Sequence, residues 1–329
     1  MPLLPSYQVS RDADRALEEF RMDFEEALAV APADNWSTQF GLGVTGEFKK
    51  TFPIPVDAAR FLARDGQDRY RELYQRSLSM RPQQYQDGVR LKTGLNGRVP
   101  DEFVGWLGAP ARMAAEMQRH ADVITAAMLE ANPNLDFYRS EEDGLASSLA
   151  LFADAHPVNV FDSSLGTFDN DLANTGINAA LIKNAREQFR TRLGPNGRSM
   201  RLELTHMLVN PSREEEARDL LESDNLLTAL VQDGTAPTNS TGWTRNRFKG
   251  AVQLVVSHEL TSSSDDYAYM IASGGPWPWI VQMAESAEYL TFDTSSDHYK
   301  NTGEIKQGVV FNAGVAAALP HAIIRYNLS

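Results

Sequence analysis

The glycine run Gly41-Leu-Gly43-Val-Thr-Gly46 has the spacing of a dinucleotide-binding loop. Such a loop works only where a strand ends and a helix begins, because the helix N-terminus must meet the pyrophosphate. Here Pro53 and Pro55 follow within nine residues and exclude that helix. We therefore predict a flexible glycine-rich hinge rather than a cofactor site.

The histidines and carboxylates offer little further chemistry. The six histidines include no HExxH pair, and only Asp154-Ala-His156 and Asp297-His298 place potential metal ligands side by side. The sequence contains no GxSxG elbow and no phosphate-binding GxxxxGK[ST] loop. We predict no metal site, no cofactor and no enzymatic activity.

Trp243 and the pair Trp277-Pro278-Trp279 could stack on bases or sugars. No basic residue stands close to Trp277 or Trp279 in the sequence, so burial or a subunit contact is the better prediction. The chain has no cysteine, which excludes disulfides and thiolate metal sites. No apolar run approaches the ~18 residues of a membrane span.

The net charge of −13 argues against a nucleic-acid-binding protein, but the charge is unevenly distributed. Residues 49–98 hold eleven basic and five acidic residues, a net charge of +6, so the remainder of the chain carries −19. Residues 1–35 hold three basic and eight acidic residues. One basic segment therefore lies within an acidic molecule.

Two helices must position the rest of the chain. Residues 11–30 have apolar side chains at helical spacing, with Ser10 as a possible N-cap and Pro32 as the stop. Its apolar stripe must dock on its own core or on a neighbouring chain, and the pattern leaves both open. A second helix is predicted at 109–131, between Pro110 in its first turn and Asn132-Pro133.

Residues 49–98 predict an extended, largely β excursion. Arg69-Tyr-Arg-Glu-Leu-Tyr74 is strand-like, and Asp87-Gly88 and Asn96-Gly97 are turn signals. Few large apolar side chains are available for burial, so this segment should be disordered or supported by other molecules.

The remainder predicts a mixed α/β region. Helices are expected at 178–192 and, after the capping box Ser212-Arg-Glu-Glu215, to about Leu221. A turn is expected at 194–197, and residues 231–249 should form a polar loop. Strands are expected at 202–209, 252–256, 267–271, 279–283 and 308–311.

This order of elements resembles the major capsid proteins of tailed phages, the Hong Kong 97-like capsid fold, of class α+β. Five stretches are similar to the Mu-like major head subunit family and occur in matching order. They are Arg11-Asp-Ala-Asp-Arg-Ala-Leu17, Tyr70-Arg-Glu-Leu-Tyr74 through Tyr85-Gln-Asp-Gly88, Leu151-Phe-Ala-Asp-Ala-His156-Pro-Val158, Thr205-His-Met-Leu-Val-Asn-Pro211 and Pro278-Trp-Ile-Val-Gln282. After Phe292 the sequence departs from the family pattern.

The resemblance implies a division into domains. Residues 1–40 would be the N-terminal arm and 49–95 an extended loop lying across an adjacent subunit. Residues 41–48, 96–172 and 286–320 would form the peripheral domain, with 109–131 as its spine helix. Residues 173–285 would form the axial domain, and 321–329 the C-terminal tail.

The resemblance also implies function and partners. The chain would self-assemble into hexamers and pentamers of an icosahedral shell that encloses double-stranded DNA without sequence-specific binding, in the virion, after assembly in the host cytoplasm. A separate scaffolding protein and a portal are expected, a decoration protein is left open, and no membrane is involved. The predicted inter-subunit contacts are Arg60, Arg64, Arg69, Arg71, Arg76, Arg81, Arg90, Phe20 and Phe24. The alternatives are an encapsulin-like compartment shell and a dinucleotide-binding enzyme.

Overall fold

A computed structural model of the chain describes residues 6–30, 35–46, 49–55, 75–92, 108–135, 149–159, 163–229, 241–284, 286–293 and 295–328. The chain divides into two compact units. The first comprises Met1–Lys50, Met80–Thr125 and Val281–Val315, and the second Thr51–Ser79, Ala126–Ile280 and Ala316–Ser329.

The first unit is built on a five-stranded sheet. Its strands are β1 (Leu42–Thr45), β4 (Gln83–Lys92), β15 (Trp279–Met283), β16 (Glu288–Phe292) and β17 (Glu304–Ala317); the first two residues of β15 and the last two of β17 belong to the second unit. The order is β1-β15-β17-β16, and β4 pairs with β17 antiparallel over ten residue pairs. The helices are α1 (Ser6–Val30), α2 (Trp36–Phe40), α3 (Ala109–Ala131, whose last turns belong to the second unit) and α6 (Asp297–Thr302).

Helix α1 packs its apolar stripe on α3 and on one face of this sheet. Leu17, Phe20 and Phe24 join Met113 and Met117 of α3 in one core cluster with strand residues. Two hydrogen bonds reinforce the packing: Gln118 Nε2 donates to the carbonyl of Leu28 (2.6 Å), and Asn35 Nδ2 donates to the carbonyl of Gln118 (2.7 Å). Helix α1 begins at Ser6, so the predicted Ser10 N-cap is wrong, and Pro32 lies outside the described residues.

Helix α3 has the predicted bounds. It ends where Asn132 takes a left-handed backbone conformation, with φ of 45°. The Asn132 side chain then accepts from Phe152 N (2.8 Å) and donates to Phe152 O (3.1 Å). Asparagine tolerates this conformation better than most residues and supplies both hydrogen-bonding groups, which explains the sharp stop.

The second unit contains a mixed five-stranded sheet. Its strands are β9 (Asp171–Ala173), β10 (Glu203–Val209), β13 (Gln253–Val256), β14 (Tyr267–Ser273) and β18 (Ile323–Asn327), in the order β13-β10-β14-β18-β9. Strands β10 and β14, and β14 and β18, pair antiparallel, whereas β13 and β9 add in parallel at the two edges. Helices α4 (Ala179–Thr191) and α5 (Glu214–Glu222) contribute buried residues to the same core.

Four two-stranded sheets complete the described strands. Their pairs are β2 (Lys50–Pro55) with β3 (Gln75–Met80), β5 (Asn134–Leu135) with β6 (Leu149–Ala150), β7 (His156–Pro157) with β8 (Thr167–Phe168), and β11 (Asn225–Ala229) with β12 (Thr241–Arg245). The predicted polar loop at 231–249 is therefore wrong from Thr241 onward, because 241–245 pair with 225–229. Residues 231–240 lie outside the described residues.

Several local predictions are confirmed. The helix predicted at 178–192 is α4, and its N-cap, Asn178, accepts from Ala180 N and Leu181 N. The turn at 194–197 and the strands near 202–209, 252–256, 267–271 and 279–283 are present, and the strand predicted at 308–311 is part of the longer β17. Helix α5 is present, but its predicted capping box is wrong. Asn210 caps a preceding 3-10 turn instead, and the Ser212 hydroxyl donates to Asp265 Oδ1 (2.9 Å).

Candidate assembly surfaces

The face of the first unit's sheet opposite α1 carries an open groove of about 500 Å³. Two rows of paired residues across β16, β17 and β4 define it: Leu290, Gly308 and Gly88 in one, and Phe292, Lys306 and Arg90 in the next. Directly paired residues in antiparallel strands point to the same face, so these rows form one surface. We call these six residues the outer-face groove.

Apolar side chains are exposed in the outer-face groove. Leu290 and Phe292 are 38% and 41% exposed, and the glycine pair beside Leu290 leaves a trough without side chains. A Cβ at Gly88 would approach Gln307 O and Gly308 Cα to 3.1 Å, so the strands sit closer there than a larger residue would permit. Exposed apolar groups clustered in a concavity are typical of a contact surface.

The opposite face of the same strands is covered. Phe24 lies edge-on to Tyr289, with ring centroids 5.9 Å apart, and Phe20 and Phe24 are 1% and 0% exposed. The structure thus uses these two residues, predicted as inter-subunit contacts, inside their own chain. The physical reason is that the stripe of α1 matches the apolar face formed by Ile305 and Val309.

The solvent-exposed face of α1 is acidic rather than apolar. Glu18, Glu19, Met22, Asp23 and Glu26 are all exposed, and their spacing places them on one side of the helix. Met22 is 69% exposed in the middle of these carboxylates. We call these five residues the α1 acidic face.

The predicted basic contacts are described only in part. Arg60, Arg64, Arg69 and Arg71, with the strand predicted at 69–74, lie outside the described residues. Arg76 lies in β3, and only its backbone is described; Arg81 and Arg90 are exposed. β2 and β3 pair with one another, and Thr51 Oγ1 lies 3.2 Å from Ser79 Oγ.

The tryptophan pair divides between core and surface. Trp279 is fully buried and Trp277 is 53% exposed. The side chain of Trp243 is not among those that the structure describes. The prediction of burial is therefore confirmed for Trp279.

The second unit buries an unusual set of basic groups around the ring of Phe168. The rings of His156 and His321 lie 5.3 and 4.6 Å from it, and the Arg192 guanidinium lies over it at 4.5 Å. Arg192 donates to the carbonyls of His321 (2.9 Å) and Asp169 (2.7 Å). Burial, together with the charge of Arg192, lowers the pKa of His321 to about 3, and burial lowers the pKa of His156 to about 4.

Within the part of the chain that the structure describes, neither the glycine run nor the histidine–carboxylate pairs form a recognisable site. Residues 42–45 of the glycine run form β1, which pairs with β15, so the predicted hinge is a strand in the structure. The chain continues into β2 rather than a helix. His156 is buried, with Nε2 3.1 Å from Leu151 O, and His298 Nε2 lies 3.8 Å from Glu304. Among the described residues, no group of three or more potential metal ligands is present.

A family model described as "Phage capsid protein" matches residues 105–326, about two thirds of the sequence. The chain belongs to this phage capsid protein family. The capsid protein is thus a structural protein of a phage shell. A search of curated proteins finds no match to it.

Solved phage capsids are similar to the chain in structure. The capsid of Ralstonia phage GP4 matches with a TM-score of 0.50 and 14% identity, covering 86% of the capsid protein and 84% of the GP4 chain. The procapsid of bacteriophage JBD30 matches at 0.49 and 14%, covering 98% and 76%, and the mature capsid of bacteriophage PhiM1 at 0.49 and 12%, covering 89% and 87%. The Hong Kong 97-like fold predicted from the sequence is confirmed.

Sequence reasoning did not identify the outer-face groove of the capsid protein. The alternation in Glu288-Tyr-Leu-Thr-Phe292 is the one local signal of β16, but which of its faces stays open depends on the pairing with β17. Within the described residues, no helix combines the length and apolar character needed to cross a lipid bilayer.

Proposed function

We propose that the capsid protein assembles into hexamers and pentamers that form an icosahedral shell around phage double-stranded DNA. The observation that carries this proposal is the match of the phage capsid protein model to residues 105–326. A shell subunit needs extensive self-complementary surface and no reaction centre, and exposed apolar residues in a groove fit that requirement.

The proposed domain roles follow the element order. Residues 1–40 act as the N-terminal arm, 49–95 as the extended loop and 109–131 as the spine helix. Residues 41–48, 96–172 and 286–320 form the peripheral domain, 173–285 the axial domain and 321–329 the tail. Membership in the Mu-like subfamily belongs to the same proposal.

The proposed partners are further copies of the chain, a separate scaffolding protein and a portal, with assembly in the host cytoplasm. The acidic excess is compatible with a shell that encloses DNA without binding it tightly, because phosphate binding requires a surplus of cations. The net charge of +6 on residues 49–98 would guide this segment onto acidic neighbours, while apolar contacts and backbone pairing supply most of the adhesion.

Electron microscopy of the purified protein tests the proposal. We expect closed shells with five-fold and six-fold clusters when the chain is expressed alone or with the phage's other head genes, and DNA inside shells taken from infected cells. A chain that stays monomeric in both expression settings would contradict the assembly proposal. Shells that contain a host enzyme instead of DNA, detected by mass spectrometry, would contradict the enclosure of DNA.

A further inference from the structure

The outer-face groove combines exposed apolar side chains with two cations, Lys306 and Arg90, against one lining carboxylate, Asp87. Lys306 and Arg90 are direct cross-strand partners, an arrangement that is unfavourable for like charges. Among the described residues, neither forms a salt bridge. A surface of this composition fits a ligand that brings carboxylates together with an apolar side chain.

The α1 acidic face has the complementary composition. Met22 stands exposed between the carboxylates of Glu18, Asp23 and Glu26. A flexible, unbranched methionine suits a shallow trough such as the one over the Gly88 and Gly308 pair. The acidic side chains around Met22 and the basic, apolar outer-face groove are therefore complementary in charge and in apolar contact.

The fold prevents these two surfaces from meeting within one chain. Helix α1 is fixed by Phe20 and Phe24 to the covered face of the same sheet, where Tyr289 and Val309 lie. The outer-face groove is on the opposite face, because Leu290 alternates with Tyr289 along β16. The acidic face of α1 can reach such a groove only on another copy.

We propose that the α1 acidic face of one copy docks in the outer-face groove of a second copy. Met22 then contacts Leu290 and Phe292, while its flanking carboxylates face Lys306 and Arg90. The inference rests on the proposed self-assembly and specifies one of its contacts. The two surfaces differ, so the contact is head-to-tail and repeats around a ring or along a row of subunits, as a shell requires.

Site-directed cross-linking tests the contact, and the absence of cysteine from the natural sequence makes it clean. Met22→Cys and Leu290→Cys chains are co-expressed, assembled and oxidised. We expect a covalent dimer, twice the 36.5 kDa chain mass, in mixed particles and none in particles of either variant alone. Pairing Asp297→Cys with Leu290→Cys is the matched control, because Asp297 is highly exposed but lies outside the α1 acidic face.

The outcomes separate the contact from the proposed function. If particles form without the covalent dimer between Met22→Cys and Leu290→Cys chains, the proposed contact is wrong, whereas the proposed shell function still holds. A parent chain that forms no particles in any setting would overturn the proposed function and the contact together.

Charge exchange provides an independent second readout. Lys306→Glu should reduce particle yield without lowering the melting temperature measured by circular dichroism, because it replaces the like-charge pair with Arg90 by an opposite-charge pair. Combining it with Asp23→Lys and Glu26→Lys should restore the yield, whereas Lys306→Gln should have a smaller effect. A yield that is insensitive to Lys306→Glu would contradict the contact.

Discussion

At the scale of single residues, the buried basic cluster around Phe168 should make the stability of the protein sensitive to acid. His321 is 4% exposed, and the charged or titratable groups that act on it are Arg192 and His156. Burial lowers the pKa of Arg192, and the charge of Asp169 offsets part of that effect. No described carboxylate raises the pKa of His321 in the same way. A proton on His321 would therefore place a second cation beside a buried guanidinium without a counter-charge.

We expect the free energy of unfolding to fall as the pH drops from about 6.5 toward 4. Burial lowers the folded-state pKa values of His156 (about 4) and His321 (about 3) below the ordinary histidine value of 6.5, so the unfolded chain binds more protons in this window. The stability they contribute is present above pH 6.5 and is lost on acidification, roughly 3 kcal/mol per histidine at pH 4. Urea denaturation followed by fluorescence at several pH values measures it.

The His321→Gln variant isolates this effect, because glutamine does not titrate. Its unfolding free energy should depend less steeply on pH than that of the parent between pH 6.5 and 4. His258 is exposed, so His258→Gln is the matched control and should keep the parental slope. Equal slopes for His321→Gln and the parent would refute the role of His321.

At the scale of elements, α1 is anchored on one side and open on the other, and neighbouring substitutions should separate these roles. Phe24→Ala removes a fully buried ring from the core shared with Met113 and Ile305. We expect it to destabilise the protein by about 3–5 kcal/mol. Met22→Ala, two residues away, should change stability by less than about 0.5 kcal/mol because Met22 is exposed.

Thermal unfolding and particle yield together measure the two effects. The Phe24→Ala chain should lose melting temperature, whereas the Met22→Ala chain should keep it and form fewer particles if the α1 acidic face docks on another copy. A large loss of stability in Met22→Ala would show that α1 packs in a different orientation.

Local sequence patterns were sufficient to predict the main helices of this protein but not the pairing of strands in its sheets. The apolar spacing of 109–131 and the helical pattern of 178–192 are local signals, and both predicted helices were confirmed. The ten-pair ladder between β4 and β17 joins residues more than two hundred positions apart, so no local spacing encodes it. The groove depends on that ladder, and the burial of His321 depends on contacts with β7 and β8. These features follow from tertiary pairing rather than from propensity.

At the scale of the whole molecule, the charge distribution sets two opposing electrostatic effects on assembly. Copies that carry −13 repel one another over long distances, whereas the +6 segment at 49–98 is attracted to acidic surfaces at short range. The screening length is about 30 Å at 0.01 M salt, about 8 Å at 0.15 M and about 3 Å at 1 M. As the salt concentration rises, the long-range repulsion between copies is therefore screened at a lower concentration than the short-range attraction of the basic segment.

We expect the rate of assembly from dissociated subunits to pass through a maximum at intermediate salt concentration. Static light scattering from 0.01 to 1 M NaCl measures it, and the matched pair of variants identifies the source of the attraction. Replacing Arg60, Arg64, Arg69 and Arg71 by lysine preserves the charge and should keep the maximum. Replacing the same four by glutamate removes the short-range attraction and deepens the repulsion, so the rate should be lower throughout and rise steadily with salt. A parental rate that only rises with salt would mean that the basic segment does not guide subunits together, and the extended-loop assignment would then have to rest on apolar contact and strand pairing alone.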